Sequence, residues 1–356
     1  MPQVRQVGAL DAAGHALVIT QPMPPLRRGT VRVQVHASLI SPGTELSGVA
    51  KARQSSPAAS AAPKPFGYQN SGVVLECGPG AEEFKPGDRV ACMGAGYAQH
   101  ADFAVVPIKL CARLPDNVSF EEGAFAHLAM TALHAIRRGE PQLGEYLLVV
   151  GLGLVGQLSA RIGQVAGMYV MGWDKLPFRC EVARRWGIDA ATVVGSEDET
   201  RVAAEFTRGS GFDMAVMAIG GDGTQALQSV TKVMKLSPDT HAMGRICLVG
   251  ALSTLCHWGA GLGNLDLRCC ARTGPGYHDE TWEHGEAAYP AVFMRWTTRS
   301  NMEYVLRLIS EGKLNVRALV THRFPLARIA EAVTAHVEAP DATLGTLLLM
   351  EHGLKR

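Results

Sequence analysis

The chain has 356 residues, of which 47% are hydrophobic and 19% charged, and its formal net charge is +1. This composition excludes a disordered protein, and the balanced charge gives no indication of binding to nucleic acid or to an acidic membrane. No uninterrupted apolar run is long enough to cross a membrane, and the first ten residues lack the apolar core of a signal peptide. We therefore expect a cytoplasmic protein of about two domains.

The first third of the chain has the pattern of short β-strands. Apolar and polar residues alternate over 30–40, which is typical of a strand with one buried face, and shorter apolar runs follow at 71–77, 88–93 and 97–107. Turns rich in glycine and proline separate these runs. The sequence therefore predicts a β domain in this part of the chain.

Short apolar strands alternate with helices from about residue 120 onwards. After a helix over 121–138, the predicted strands are 147–150, 169–173, 191–194, 213–218, 245–250 and 265–272, and the predicted helices are 155–167, 177–187, 197–208 and 223–235. This alternation is typical of a parallel sheet covered on both faces. The last part is predicted to be an irregular stretch followed by a helix at 301–311, a strand at 318–322, a helix at 325–337 and a strand at 344–350.

The strongest chemical signal is a glycine-rich loop between the strand 147–150 and the helix that follows it. Gly151, Gly153 and Gly156 have the G-x-G-x-x-G spacing of a dinucleotide-binding loop, and Asp174 ends the next strand, 18 residues after Gly156. The glycines allow the tight turn, the approach of the pyrophosphate and the packing of helix on strand, while the acidic residue accepts the ribose hydroxyls and would repel a 2′-phosphate. The alternative interpretation is a glycine-rich turn with a surface aspartate.

Several segments along the chain resemble the medium-chain dehydrogenase/reductase superfamily, which includes the alcohol and sorbitol dehydrogenases. They are GTVRVQVHASLISPGTE, FGYQNSGVV, FKPGDRVA, LPDNVSFEEGAF, GLGLVG and RALVTHRFPLARIAEAV. The resemblance implies an α/β fold with a GroES-like β domain plus a Rossmann doubly wound parallel sheet. It implies that 1–128 and 275–356 form the GroES-like catalytic domain and that 129–274 forms the Rossmann NAD-binding domain. The residues expected to bind NAD are Gly151, Gly153, Leu154, Val155, Gly156, Asp174, Lys175, Thr131 and Gly250.

The chain departs from the zinc-dependent members of this superfamily at the metal positions. The family's first cysteine ligand corresponds to Pro42, and its Gly-His-Glu segment corresponds to a run in which Tyr68 and Gln69 replace the histidine and the glutamate. The third metal position falls on His127, and the four-cysteine structural lobe is missing. A catalytic zinc needs about three protein ligands, so we expect no metal and a zinc-independent member.

Four candidate catalytic residues are brought together by the same resemblance: Thr44, Glu45, Tyr68 and His127. An imidazole has an ordinary pKa of about 6.5, closest to the operating pH, so His127 is the favoured general base. Tyr68 is then the donor to the substrate oxygen, Thr44 a relay, and Glu45 the second choice of base. The alternatives are a packed core histidine at 127 and a Tyr68 that only fills the space of the metal.

A polar and aromatic stretch at 277–304 is the candidate substrate-binding segment, because sugar sites combine aromatic faces with many hydrogen-bonding groups. The alternative is a polar excursion at the edge of a domain. The residues expected to contact substrate are Gln69, Tyr277, His278, Trp282 and Arg295.

These observations favour an NAD-dependent, zinc-independent oxidoreductase that interconverts a secondary alcohol and a ketone on a sugar, polyol or cyclitol. Three alternatives stay open: a zinc-free quinone or enoyl reductase, an enzyme that recycles tightly bound NAD during sugar elimination or epimerisation, and a non-catalytic dinucleotide sensor. The expected partners are a small-molecule substrate and a second copy of the chain. The resemblance suggests a homodimer formed through the last Rossmann strand, 265–272.

Overall fold

The computed structural model describes residues 3–54, 62–196 and 198–353. The chain divides into two compact units: the first comprises Met1–Met130 and Thr273–Arg356, and the second comprises Thr131–Arg272. Each division lies two residues from the corresponding boundary expected from the sequence. Within the described ranges, no helix is long and apolar enough to cross a membrane.

The secondary structure changes from mostly strands to alternating strands and helices and back again. The strands are β1 (Val4–Leu10), β2 (Ala16–Pro22), β3 (Thr30–Leu39), β4 (Lys64–Pro65), β5 (Gln69–Cys77), β6 (Arg89–Met93), β7 (Phe103–Pro107), β8 (Cys111–Arg113), β9 (Tyr146–Val150), β10 (Tyr169–Asp174), β11 (Ala190–Val193), β12 (Met214–Met217), β13 (Gly221–Asp222), β14 (Met243–Leu248), β15 (Leu252–Ser253), β16 (Asn264–Cys269), β17 (Val320–Pro325) and β18 (Gly345–Leu349). The helices are α1 (Pro42–Glu45), α2 (Val49–Gln54), α3 (Phe120–Gly123), α4 (Ala126–Gly139), α5 (Leu154–Val165), α6 (Pro177–Arg185), α7 (Glu199–Phe206), α8 (Thr224–Thr231), α9 (Glu280–Glu283), α10 (Thr298–Ser310) and α11 (Ile329–Glu338).

The first unit is built around a seven-stranded sheet. Its order is β17-β18-β3-β5-β6-β8, with β7 also paired to β3, and a second sheet has the order β2-β1-β4. The central strand β3 buries Val31, Val33 and Val35 completely, as its alternating sequence predicts. The last strand, β18, pairs antiparallel with β3, so both ends of the chain contribute to this sheet.

The second unit is a six-stranded parallel sheet of order β11-β10-β9-β12-β14-β16. This is the order of the doubly wound dinucleotide-binding fold, with the reversal between β9 and β12. Its hydrophobic core includes Leu148, Met171 and Phe212, which are almost completely buried. The predicted fold class, a GroES-like β domain plus a Rossmann parallel sheet, is confirmed.

Several predicted elements differ from those in the structure. The helix predicted over 121–138 is two helices, α3 and α4, and the run at 97–107 forms a strand only at Phe103–Pro107. Gly94 and Gly96 have left-handed backbone conformations, with φ of 118° and 84°, and these produce a turn before that strand. The sequence analysis missed β1 and β2, although β1 has the burial pattern of a strand with one covered face.

Candidate active site

A single helical turn at Pro42–Glu45 (α1) follows β3 and positions two of the predicted catalytic residues. The backbone N–H of Ser41 donates to Glu45 Oε2 over 2.9 Å, which folds the glutamate side chain back onto the start of the turn. The side chain of Glu45 is 4% exposed, whereas Thr44 is exposed. Glu45 Oε1 is buried and accepts no hydrogen bond. The turn therefore exposes the hydroxyl of Thr44 to solvent and buries the carboxylate of Glu45 in the protein.

Tyr68 lies immediately before β5 and meets this turn. Its hydroxyl donates to Ser41 Oγ and also has a side-chain hydrogen bond with Thr44. Burial and, next, the negative charge of Glu45 raise the pKa of Tyr68 well above its ordinary value, and the hydrogen bonds that Tyr68 forms with Ser41 and Thr44 only partly oppose this. Tyr68 is therefore a neutral phenol that can donate a hydrogen bond.

His100 was missed by sequence reasoning, because a lone histidine before a strand gives no signal of its partners. Its side chain is completely buried, and its Nε2 lies 3.0 Å from Glu45 Oε2. Its Nδ1 forms a hydrogen bond with Ser38 Oγ, on β3, and Phe66 packs edge-on against the imidazole. Glu45 thus has a buried histidine partner from a distant part of the chain.

His127 lies next to Tyr68, with ring centroids 4.5 Å apart. Burial lowers the pKa of His127 to about 3, and a hydrogen bond with the backbone of Tyr68 opposes this only weakly. This environment weakens His127 as a general base, because that prediction assumed an ordinary imidazole pKa. His127 is neutral at physiological pH and forms an apolar, aromatic wall beside the phenol.

Two residues of the candidate substrate segment continue this wall. The Tyr277 ring lies edge-on to His127, at 5.9 Å, and His278 stacks on Tyr277 at 4.0 Å. His278 is exposed and has a left-handed backbone with φ of 72°, which is uncommon for a residue other than glycine. Its N–H donates to Glu283 Oε1 over 2.7 Å, and burial raises the pKa of that carboxylate. A buried glutamate thus stabilises a strained turn that presents an imidazole beside the cluster.

Three other residues predicted to contact substrate have structural contacts instead. Gln69 is completely buried, and its amide donates to Leu39 O and accepts from Leu128 N. Trp282 is 4% exposed and stacks on Tyr289. Arg295 is exposed and lies over the Trp296 ring, 4.7 Å from its centroid. Their side chains are of types that recognise hydroxyl groups. Gln69 and Trp282, however, are buried and already contact other residues of the protein.

The residues at the family's metal positions do not fit a zinc ion. Pro42 has no ligand atom, and the hydroxyl of Tyr68 is bound to Ser41. Throughout the described ranges, no group of three or more His, Cys, Asp and Glu side chains could hold a metal ion. A catalytic zinc needs about three protein ligands, and of these positions only His127 has an ordinary zinc-ligand side chain.

The glycine loop of the second unit has the geometry of a dinucleotide cradle. Gly151 has φ of 88°, and a Cβ on Gly156 would lie 1.7 Å from Gly151 O. A Cβ on Gly153 would meet only Arg179 Nη1, at 3.9 Å. The twelve-residue helix α5 begins at Leu154, directly after Gly153, so its first N–H groups follow the loop. Gly151 and Gly156 therefore shape the loop, whereas Gly153 leaves room beside it, which fits a dinucleotide.

Asp174 is 7% exposed at the end of β10, where the sequence predicts an acidic residue for the ribose. Its Oδ2 accepts from Leu152 N over 2.6 Å and its Oδ1 from Leu176 N over 2.8 Å. Arg179 Nη1 lies 3.6 Å from Oδ2. The carboxylate is therefore fixed beside the glycine loop by two backbone N–H groups.

The remaining predicted cofactor residues lie at several positions in the second unit. Leu154 is buried and Val155 half-buried in the first turn of α5, Lys175 is exposed after β10, and Thr131 is half-buried on α4. Gly250 follows β14 with φ of 95°, and a Cβ there would lie 3.1 Å from Ile219 O. Sequence reasoning missed Gln157, which is completely buried and donates to both Leu152 O and Arg179 O. This glutamine ties the glycine loop to α6.

Comparison with known proteins points to one superfamily. A sequence profile of the alcohol dehydrogenase GroES-like domain matches residues 27–135. Sorbitol dehydrogenase of Mus musculus is 27% identical over 301 residues, which cover 76% of each chain. The uncharacterized zinc-type alcohol dehydrogenase-like protein YphC of Escherichia coli is 27% identical over 300 residues, which cover 75% of this chain and 76% of that one. Galactitol-1-phosphate dehydrogenase of Escherichia coli has the same fold, with a TM-score of 0.77 and 19% identity over 97% of this chain and 99% of that one. The chain is thus similar to alcohol and sorbitol dehydrogenases over about three-quarters of its length.

Proposed function

We propose that this alcohol- and sorbitol-dehydrogenase-like chain interconverts a secondary alcohol and a ketone with NAD, without a catalytic zinc, on a sugar, polyol or cyclitol. The observation that carries the proposal is the contact of the half-buried Tyr68 with Ser41 and Thr44. It supports the proposal because Tyr68 stands at a position that the family resemblance assigns to a metal ligand. A phenol can polarise a substrate oxygen by donating a hydrogen bond.

Each group of the cluster has one task in this reaction. Bound NAD would supply the hydride acceptor in alcohol oxidation. Tyr68 donates its one proton to the substrate oxygen when this oxygen replaces Ser41 Oγ as the acceptor, and the exposed Thr44 hydroxyl orients the same oxygen. Glu45 is the proton acceptor, in place of His127, because its Oε1 is a buried carboxylate oxygen that accepts no hydrogen bond. His127 excludes water from the other side of the phenol.

The preference for NAD over NADP rests on Asp174. A second negative charge, such as a 2′-phosphate, beside this fixed carboxylate would be repelled. Arg179 Nη1, 3.6 Å from Asp174 Oδ2, offsets part of the negative charge of Asp174. The two backbone hydrogen bonds that orient the carboxylate are present as well. This observation also counts against a quinone or enoyl reductase that uses NADPH.

The substrate class rests on the stacked pair of Tyr277 and His278. Aromatic faces pack against the C–H groups of a cyclic or extended polyol, and an imidazole can donate to or accept from a hydroxyl. Two of the similar proteins, sorbitol dehydrogenase and galactitol-1-phosphate dehydrogenase, are named for a polyol and a polyol phosphate. Their names support a polyhydroxylated substrate for this chain as a proposal.

The test is turnover of a panel of polyols, sugars, cyclitols and quinones, followed as NADH absorbance, on protein whose metal content has been measured. We expect reduction of NAD by at least one polyhydroxylated alcohol, no effect of chelators, and a rate about 10²–10⁴ lower in Tyr68→Phe. Tyr169→Phe, at a half-exposed tyrosine of the second unit, is the matched control and should turn over normally. Stoichiometric zinc, preference for NADPH, or an unchanged rate in Tyr68→Phe would refute the proposal.

A further inference from the structure

Glu45 and His100 form a buried pair, and the proposed reaction gives no role to the His100 imidazole. The His100 side chain is completely buried, the Glu45 side chain is 4% exposed, and Nε2 and Oε2 are 3.0 Å apart. A lone charge at such a site would be very costly, whereas a pair that is hydrogen-bonded and balanced in charge is tolerated. The protonation of the pair can be worked out from the hydrogen bonds around it.

The hydroxyl of Ser38 determines the state of one imidazole nitrogen. Ser38 Oγ lies 2.9 Å from the carbonyl oxygen of Gln69, which can only accept a hydrogen bond. Ser38 has one hydroxyl proton and donates it there. It must therefore accept in its other hydrogen bond, the one with His100 Nδ1. Nδ1 consequently carries a hydrogen.

The contact between Nε2 and Glu45 Oε2 then contains one proton. Two acceptors without a proton would repel each other at 3.0 Å, so the proton is bound either to the nitrogen or to the oxygen. In the first case the pair is an imidazolium and a carboxylate, and in the second it is a neutral imidazole and a carboxylic acid. The net charge is zero in both cases.

We propose that Glu45 and His100 hold one shared proton as a buried pair without net charge, and that His100 is a positioning residue that acts on the substrate oxygen through Glu45. The catalytic part of this inference rests on the proposed function. During ketone reduction the hydride reaches the carbonyl carbon, and the shared proton passes through Glu45 to the carbonyl oxygen. The pair is left as a carboxylate and a neutral imidazole, and it regains a proton from water after the product has left.

His100 is needed in this scheme because it compensates the negative charge of Glu45. A lone carboxylate beside Tyr68 would oppose the negative charge that grows on the substrate oxygen. With His100 present, the same carboxylate is compensated until the proton is transferred. Ser38 orients the imidazole, because its hydroxyl is itself fixed by the backbone of Gln69.

The first test is a nitrogen NMR spectrum of the full chain labelled with ¹⁵N-histidine at pH 7.5, with the His100 signals assigned from their loss in His100→Gln. We expect a hydrogen on Nδ1 of His100 and a second proton shared by Nε2. An Nδ1 without a hydrogen would overturn the inference, because Ser38 would then donate to the imidazole. This spectrum is independent of any enzymatic activity.

The second test compares His100→Gln, Glu45→Gln and the double variant. We expect kcat to fall at least about tenfold in His100→Gln, with an unchanged Kd for NAD, since the change acts on proton transfer. We also expect the double variant to melt at a higher temperature than His100→Gln, because the lone carboxylate has been removed. A double variant whose melting temperature falls by the sum of the two single effects, or an unchanged kcat in His100→Gln, would overturn the inference. If the wild type turns over no alcohol at all, the proposed function fails, while the spectrum and the melting temperatures still decide the state of the pair.

Discussion

His127 shows how burial alone changes what a side chain can do. The imidazole packs between the rings of Tyr68 and Tyr277 and is 7% exposed. Its pKa is lowered to about 3, while in the unfolded chain it has the ordinary value of about 6.5. Between these values the unfolded chain binds a proton that the folded chain does not. Folding is therefore favoured above pH 6.5 and loses this contribution as the pH falls towards 3.

We expect the free energy of unfolding to decrease on acidification, by about 1.4 kcal/mol from this group for each pH unit below 6.5. His127→Asn should reduce that slope in urea denaturation curves measured between pH 6.5 and 5. His257→Asn, at an exposed histidine of the second unit, should leave the slope unchanged. Equal slopes in the wild type and His127→Asn would show that the imidazole is protonated in the folded protein.

The sequence predicted which residue types meet at the cluster but not their states. Thr44, Glu45 and Tyr68 come together as the family resemblance implies. The role of His127 as general base stays a prediction that burial weakens, because the ordinary pKa of a residue type contains no information about burial. His100 was absent from the prediction, because its partners, Glu45 and Ser38, are 55 and 62 residues away along the chain. Long-range pairing of this kind leaves no local pattern.

The glycine loop is the element for which the sequence prediction works best, because steric requirements fix the residue type. Gly156 has no room for a side chain, since a Cβ would lie 1.7 Å from Gly151 O. Gly153 has ordinary extended backbone angles, φ of −65° and ψ of −175°, and open space around a Cβ. The fold therefore requires glycine at position 156. At position 153 the fold leaves room for a side chain, so we expect a bound ligand to require the glycine there.

We expect Gly153→Ala and Gly156→Ala to separate these two requirements. Gly153→Ala should keep its stability within about 0.5 kcal/mol but bind NAD about tenfold more weakly, because the methyl group occupies the path of the pyrophosphate. Gly156→Ala should lose about 1–3 kcal/mol of stability. Thermal denaturation with and without NAD, and titration calorimetry, provide the measurements. Normal NAD affinity in Gly153→Ala would mean that the loop is only a structural turn.

The turn at His278 shows the limit of sequence reasoning for an element. The polar and aromatic composition of its segment indicated a binding region, but nothing in the sequence predicts a left-handed histidine. The conformation depends on Glu283, whose buried carboxylate accepts the His278 N–H. Backbone strain of this kind is stable only when the surrounding structure compensates for it.

At the scale of the whole molecule, we propose a homodimer formed through β16, the edge strand of the six-stranded sheet. The N–H groups of Asn264 and Cys270 donate to Ala242 and Leu248 within the sheet. Alternate residues of a strand point their N–H groups to opposite sides. The N–H groups of Leu265, Leu267 and Cys269 therefore face away from the sheet, where a second β16 can pair with them.

We expect light scattering at micromolar concentration to give twice the chain mass of 38.0 kDa. Cys269→Pro should shift the protein to a monomer, because it removes an outward-facing N–H without removing a hydrogen bond to β14. Cys269→Ser keeps the N–H and should stay dimeric. A monomeric wild type, or a dimer that tolerates proline at 269, would exclude this interface.

The pairing of β18 with β3 has a consequence for the order in which a nascent chain can acquire its structure. Leu347 lies opposite Leu39, so β3, which also pairs with β5 and β7, completes its pairing only with a strand that leaves the ribosome about 300 residues later. The second unit is one continuous segment, Thr131–Arg272, and has all of its strands once that segment has emerged. The cofactor unit can therefore fold during synthesis, whereas the sheet that carries the hydroxyl cluster closes only after translation of the last strand. A ribosome stalled before residue 345 would hold a chain whose second unit is complete while the large sheet of the first unit still lacks β18.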